Sequence, residues 1–481
     1  MDWPAWRLLV QVAAAALLLA GCWLPAGCAH YEARPISPER AAAELSDRSL
    51  NDDGLRKFLA ANLGSEPLPW PLSQWNLDQL VLAACYYQPG LDVARAEWRV
   101  ATAGTMTAGE RPNPTLGLSG TYDSTTPPPW IPAVTFNIPI ETAGKRGHRL
   151  AEAQHLADAA RWNLLGAIWQ ARSAVRTALL SLYSAREIET LLARQEAAQA
   201  EVVRLLEGQF AAGAVAGVEV TQVRIALDTT RLARQQAHRQ NAEARAGLAD
   251  ALGLPAAALQ DVSLSFAGLD EFPIALTEPE VRRQALLNRA DVRGALDEYT
   301  ASQSALQLEI AKQYPDLDLG PGYEYDQTDN KWTLGVSLSL PILNQNRGPI
   351  AEARAKRELA AARFFAVQGK AAGQIDLALA GYQGALQQSA TAGALLGDLQ
   401  KRRDSVRAMQ QAGELDPMAV ANAEVEYNTG ALSRLDALVK AQEALGQLED
   451  AVQSPQVMPP AMLQSAQINP RPVQPAITHE P

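Results

Sequence analysis

Five histidines, three cysteines and an excess of carboxylates are the groups with which this chain could do chemistry. His30, His148, His155, His238 and His479 form neither an HExxH pattern nor a carboxylate-paired spacing, so they assemble no zinc site and no general base. His148 and His155 lie seven apart on a helical face, where a surface position is the ordinary reading. Gly144-Lys145 lacks the earlier glycine of a phosphate-cradling loop, and no GxSxG nucleophile turn occurs. Cys85 has no partner at metal-ligand spacing and reads as a small core residue. The net charge of −11 gives no basic footprint for nucleic acid, and no Lys/Arg cluster that would track phosphates is present. The expectation is therefore of no catalysis, no cofactor, no metal centre and no nucleic acid, in a chain whose 47% hydrophobic and 20% charged residues suit an ordinary folded protein.

The cysteines near the start suggest a different chemistry. Arg7 is followed by an apolar run from Leu8 to Ala20, about 13 residues, which is too short to span a bilayer and suits the h-region of a signal peptide. The run ends Leu19-Ala20-Gly21-Cys22, which resembles the bacterial lipobox, where the cysteine is diacylated and becomes the first mature residue. Pro25-Ala26-Gly27-Cys28 is the alternative, with Pro where a lipobox wants a Leu-like residue. Cys22 is the preferred lipidation site and Cys28 the second candidate; a plain cleaved signal with two incidental cysteines is the remaining reading. Two acyl chains anchor where one does not, since each buried methylene contributes about 0.8 kcal/mol.

The elements behind these groups come from a duplication with a period of about 200 residues. Pro114, Leu116, Leu118 and Tyr122 answer to Pro315, Leu317, Leu319 and Tyr323, and Pro139-Ile140 to Pro341-Ile342. Arg146-Gly147 answers to Arg347-Gly348, Ala151-Glu152-Ala153 to Ala351-Glu352-Ala353, and Ala212-Gly213 to Ala412-Gly413. Proline is absent between Pro139 and Pro255, and again over most of Pro349 to Pro455, in stretches rich in strong helix formers. A continuous helix from Lys145 to Ala212 would reach about 100 Å. Its apolar spacing is that of a narrow coiled-coil seam, as in Ile188, Leu191, Ala198, Val202 and Leu205, or Leu435, Leu438, Leu445, Leu448 and Val452. A shorter helix precedes the strands in each half, near Leu77 to Glu110 and Glu280 to Tyr314.

Between short and long helices each half carries two segments of period-two alternation, at about 114–124 and 130–140, and about 315–325 and 331–341. Each is of the length a tilted strand needs to cross a bilayer, roughly 9 to 11 residues. Tyr122, Trp130, Tyr325 and Trp332 flank the connecting loops, as an interfacial aromatic girdle would. Four strands cannot close a spanning barrel, because open sheet edges are not tolerated in hydrocarbon. Either several copies share one barrel or the strands do not span; three copies would give twelve strands.

The organisation expected is a signal peptide with lipobox at 1–21, a lipid-anchored arm at 22–74, a first repeat at 75–270, a second at 271–453 and a proline-rich tail at 454–481. The order of signal, helix, strand pair and two long helices, then the same again, resembles the TolC-type outer-membrane efflux family over about Trp75 to Val452. Glu141-Thr142-Ala143-Gly144-Lys145-Arg146-Gly147 resembles its CzcC-like heavy-metal branch. The resemblance implies a mainly α fold with a small β part: duplicated coiled-coil hairpins forming a periplasmic tunnel, under a twelve-strand barrel shared by a homotrimer in the outer membrane. It also implies a periplasmic adaptor and an inner-membrane transporter as partners, with the chain serving as the passive exit duct for small molecules or metal cations. On the same resemblance Gly213, Ala214, Val215, Ala216 and Gly217, and Gly413, Glu414, Leu415, Asp416 and Pro417, are the tips that dock the adaptor. The gate would lie nearby at Glu414, Asp416, Ala419 and Asn422. Similar channels carry paired aspartates at the spacing of Ala419 and Asn422; neither residue here is acidic, leaving Glu414 and Asp416 either to supply the charge or to be solvated tip residues. A periplasmic, lipid-anchored coiled-coil scaffold or adaptor without a barrel is the competing reading, and it does not require bilayer-length strands with clustered aromatics.

Overall fold

The computed structural model describes residues 31–64, 69–125, 127, 129–272 and 279–453. The signal segment, Cys22, Cys28 and the tail from 454 lie outside the described residues. The chain divides into two units. Of the first, residues 31–47 are described: helix α1 (Pro38–Ser46) begins where the Ser37 hydroxyl accepts from Arg40 N at 3.3 Å and Pro38 supplies a preset φ, and it buries no side chain.

The second unit carries the duplicated architecture. Helices α2 (Asp53–Leu63), α3 (Leu77–Tyr87) and α4 (Pro89–Gly109) lead into strands β1 (Thr115–Tyr122) and β2 (Trp130–Ile140), then α5 (Lys145–Ala211) and α6 (Gly217–Leu252). A 3₁₀ turn at Ala256–Leu259 leads to the second set: α7 (Pro279–Asn288), α8 (Ala290–Ala311), β3 (Leu317–Asp326), β4 (Asp329–Leu338), α9 (Arg347–Gln411) and α10 (Pro417–Val452). At 67 and 65 residues, α5 and α9 each reach about 100 Å.

Two expected helices are broken. The stretch from Leu77 divides at Gln88, where Pro89 removes the donor that would continue α3 and instead starts α4. The stretch from Glu280 divides at Arg289, in extended backbone, whose guanidinium donates to Ala451 O at 2.6 Å and pairs with Asp291 at 2.9 Å. The last strand also shifts. β4 begins at Asp329, because the turn at Gln327-Thr328 is tight and Gln327 adopts φ 57°, and it ends at Leu338, whose partner Leu317 is the first residue of β3.

The helices pack in two tiers. Beneath the sheet the order across the layer is α4, α5, α8, α9; farther down it is α6, α5, α10, α9. The main apolar core gathers α2, α3, α5 and α6 around Leu55, Leu80, Leu164, Ile168 and Leu252. Cys85 is buried in it, and burial pushes its thiol up to about 12, so it is an inert packing residue. His148 and His155 are half-buried rather than on the open surface, His155 Nδ1 facing Asp297 at 3.9 Å.

Candidate functional site

The sheet has the order β1-β2-β3-β4 and is antiparallel throughout. Its register separates two surfaces, with Ile131 on the polar side and Asn330 on the apolar side as the exceptions. Leu116 stands opposite Phe136, Leu118 opposite Val134, Ile138 opposite Leu319 and Leu319 opposite Val336, so one face is apolar across all four strands. The other carries Thr115, Ser119, Thr135, Asp318, Glu324, Lys331 and Thr333 together with Gly117, Gly322 and Gly335. On this face a Cβ at Gly322 would sit 2.6 Å from Thr333 Oγ1, so the close approach there requires glycine. The apolar face is open: Leu118 is 65% exposed, Leu334 74% and Trp332 80%. An exposed apolar surface of this extent on a sheet whose opposite face is polar is what a lipid-facing barrel wall looks like.

The aromatic residues gather at the loop end of the apolar face. Tyr122 and Trp130 are directly paired with ring centroids 5.1 Å apart. Trp332 packs tilted against Tyr323, its ladder partner, at 4.9 Å, and Tyr325 stands opposite Asn330 nearer the turn. Period-two alternation gave the face correctly, and only the pairing register could have singled out Tyr323.

Where strands meet helices, the heptapeptide from Glu141 to Gly147 forms a joint. Ala143 at φ 53° and Gly144 at φ 71° coil the chain so that Lys145 starts α5 buried. Its Nζ reaches Asp316 Oδ1 and Tyr314 O, both at 2.7 Å. Arg149 pairs with Glu141 at 2.7 Å and donates to Ala108 O and Glu110 O, fixing the end of α4. At the second joint the corresponding residue is uncharged: Asn346 donates to Glu309 O at 2.7 Å and to Glu309 Oε2 at 2.9 Å.

At the opposite end both hairpins reverse by the same device. Gly213 and Gly413 take φ 74° and 79°, and the next amides, Ala214 N and Glu414 N, bond back to Gln209 O and Met409 O at 2.9 Å. The tips then diverge. Asp416 caps α10 by accepting from Ala419 N at 2.9 Å, ahead of Pro417 at the first turn. Ala216 has no oxygen to do the same for α6. Gly217, Glu414 and Leu415 are exposed, Val215 and Ala419 are half-buried and Asn422 is exposed. The charges that do meet near the second tip are others: Arg402 with Glu426 at 2.9 Å, Arg407 with Glu424, and Arg403 over the Tyr427 ring at 4.1 Å. The run Lys401-Arg402-Arg403 facing Glu424 and Glu426 across one hairpin was visible in the sequence as the signal for this belt.

The two repeats are held together along α5 and α10 by a buried polar seam. Glu449 lies 3.0 Å from Arg172 and 3.5 Å from Arg176, and Arg176 also donates to Gln442 O and Oε1 at 2.8 and 2.9 Å. Burial lowers the Arg176 guanidinium from its ordinary value. It also raises the neighbouring Asp450 carboxyl, against the donors Ser173 and Trp169. Among the described residues no helix is long and apolar enough to cross a membrane, and no cluster of three His, Cys, Asp or Glu side chains could hold a metal ion.

Comparison with known proteins gives this geometry a family. The chain is 28% identical over 284 residues to the cobalt-zinc-cadmium resistance protein CzcC of Cupriavidus metallidurans, covering 57% of this chain and 65% of that protein. It is 31% identical over 203 residues to the pyoverdine export outer membrane protein OpmQ of Pseudomonas aeruginosa, covering 40% of each. It therefore spans less than two thirds of either relative. The fold matches that of the outer-membrane channel OprN with a TM-score of 0.64 at 18% identity, over 88% of this chain and 98% of that one. The family model described as outer membrane efflux protein matches residues 84–254 and again 281–452, one match to each repeat, and the chain belongs to the outer membrane efflux protein family.

Proposed function

We propose that the chain is the outer-membrane channel component of a tripartite efflux pump, a passive exit duct for small molecules or metal cations. The observation that carries this reading is that every layer of the molecule is left open at its two edges in the same sense. The sheet ends at β1 and β4, the upper helical tier at α4 and α9, and the lower tier at α6 and α9. In each layer one edge comes from the first repeat and the other from the second, so a ring of copies closes all three at once. Three copies would give a twelve-strand barrel, an even number compatible with closure, with its apolar face to lipid and its polar face to the lumen. The unmet apolar side chains of α6, Val218, Ile225 and Leu232, recur at intervals of seven and are 73%, 62% and 66% exposed, which suits a coiled-coil seam with a neighbouring copy.

On this reading the tips at Gly213–Gly217 and Gly413–Pro417 dock a periplasmic adaptor that leads to an inner-membrane transporter. The belt around Arg402, Arg407, Glu424 and Glu426 lies beside the gate. Cys22, or Cys28, carries the lipid anchor in the outer membrane. The relatives are named for different cargo, cobalt, zinc and cadmium in one case and pyoverdine in the other, and both metal cations and small molecules belong to the proposal. The test is the mass of the mature protein extracted from outer membranes in mild detergent, with and without boiling. A detergent-requiring trimer that falls to monomer on heating supports the duct. A monomer that stays in aqueous buffer once its lipid is removed sinks it and promotes the scaffold reading.

A further inference from the structure

Of the three neighbour relations among the four strands, one invites a question: what sets the register between β2 and β3? Each hairpin fixes its own. β1 and β2 are joined by the short loop at 123–129, and β3 and β4 by the two-residue turn at Gln327-Thr328. No such turn joins β2 to β3, because α5, α6, α7 and α8 all lie between them in the chain. The face pattern cannot choose either. A slip of one residue would turn every side chain to the wrong face, but a slip of two keeps apolar on apolar and polar on polar. Val134, now opposite Tyr323, would fit Pro321 or Tyr325 in the same face. The ladder itself is weakened, since Pro139 and Pro321 each lack an N–H to donate.

We propose that Lys145, with Thr142 and Asp316, is the register lock for the β2–β3 pair, the seam where the two repeats become one sheet. The last ladder pair is Ile140 with Leu317, and the clamp lies immediately beyond it. Thr142 N donates to Asp316 Oδ1 at 2.9 Å and Thr142 Oγ1 to Pro315 O at 2.6 Å. Lys145 Nζ donates to the same Asp316 oxygen and to Tyr314 O, both at 2.7 Å. A two-residue slip displaces one strand by about 6.7 Å, beyond the reach of every one of these bonds, so only the native register keeps the clamp. The duplication supplies an internal control. Asn346 stands where Lys145 does, as Arg347-Gly348 answers to Arg146-Gly147, yet β4 is already fixed by its turn, and Asn346 stays within its own repeat, donating to Glu309 O and Oε2. Of the two joints, the one with a buried basic residue partnered across repeats is the one where a register needs setting.

This inference goes beyond the duct reading and stands on the sheet alone. Cysteine pairs on the polar face read it in the full chain. Ala133→Cys with Glu324→Cys reports the native register; Ala133→Cys with Asp326→Cys, and Asn137→Cys with Asp318→Cys, report slips in the two directions. With Lys145 present, oxidation links the native pair in at least about tenfold preference, since only directly opposed Cα atoms meet disulfide geometry. Lys145→Met lowers that preference severalfold and brings up a slipped pair, and Lys145→Arg restores it. If Lys145→Met accumulates no folded protein, Asp316→Asn, which keeps the side-chain shape, is read by the same pairs. An unchanged native preference in Lys145→Met, or in Asp316→Asn where that variant is the one read, overturns the lock. A shift in helical content without any slipped pair also overturns it, because it would make the clamp a general brace. Trimer formation is scored separately by heat-modifiability, so a native register in a chain that never trimerises counts against the duct and leaves the lock standing.

Discussion

Helices α5 and α9 occupy the same place in the two repeats and have nearly the same length, but their environments differ sharply. α5 runs through the middle of both helical tiers, against α4 and α8 above and α6 and α10 below, and buries eighteen side chains. α9 is an edge in both tiers and buries seven. Its Leu359, Phe365, Leu377 and Leu395 are 51%, 67%, 77% and 52% exposed, although each is as apolar as the residues α5 hides. Duplication produced two equivalent helices, and connectivity then made one a centre and the other a rim. The contrast teaches that burial is concentrated along α5, and on the proposed duct reading α6 and α9 carry the assembly surface.

The comparison breaks most forcefully at the seam. Glu449→Ala leaves Arg172 and Arg176 buried without their counter-charge, and chemical unfolding of the detergent-solubilised protein should show a loss of about 3–5 kcal/mol. Replacing Arg172 and Glu449 together with Met and Leu should be far milder, since it removes the charge instead of stranding it. Next in size is the core of α5. Leu164→Ala and Ile168→Ala, both at fully buried sites, should each lose about 2–5 kcal/mol. The matching pair on the rim, Leu359→Ala and Phe365→Ala, should change the isolated chain by less than about 0.5 kcal/mol. In the assembled form the same rim pair should lower the temperature at which the oligomer dissociates. Equal losses from both pairs in the isolated chain would show that α9 is not an edge.

Much of this was legible in the residues. Proline spacing and composition gave the long helices nearly to their ends, and alternation gave all four strands and their apolar faces. The heptads at Leu435, Leu438, Leu445 and Leu448 marked α10 as a buried seam, and all four are buried. What was not legible depends on partners distant in the chain. Arg289 breaks its helix because Ala451 O and Gln374 are there to receive it, and nothing local announces that. Tyr323 meets Trp332 because cross-strand register, not alternation, decides which ring meets which. The heptapeptide at Glu141 was recognisable as a signature, but its work as a joint could be seen only once Asp316, from the other repeat, stood beside Lys145.

A smaller effect tests the seam by pH. Burial raises the Asp450 carboxyl above its unfolded value, so the native state keeps a proton that the unfolded chain has already released. The stability linked to this group is fully present below the unfolded pKa. It falls as pH rises towards the folded pKa and stays flat above it. Asp450→Asn removes the linkage, so the difference in unfolding free energy between wild type and variant should move in the mutant's favour across the acidic range and then level. A difference that does not vary with pH would mean that Ser173 and Trp169 compensate the burial.

The smallest expected difference separates the two tips, which share their glycine reversal but not their caps. Asp416→Ala should destabilise the first turn of α10 by about 1 kcal/mol, because the amide of Ala419 loses its acceptor. Ala216→Asp should stabilise α6 by a comparable amount, since Ala216 already has the extended backbone of a cap at ψ 146° and Asp can supply the missing oxygen. Amide hydrogen exchange at the two tips is the measurement, because local opening there is decoupled from the buried seam. Protection should fall at the second tip and rise at the first, each confined to the turn that was changed. If Ala216→Asp brings no added protection, the first tip is held by its neighbours rather than by its own cap. The two tips would then differ in what they need from a partner, with the capped one arriving rigid and the uncapped one free to adapt.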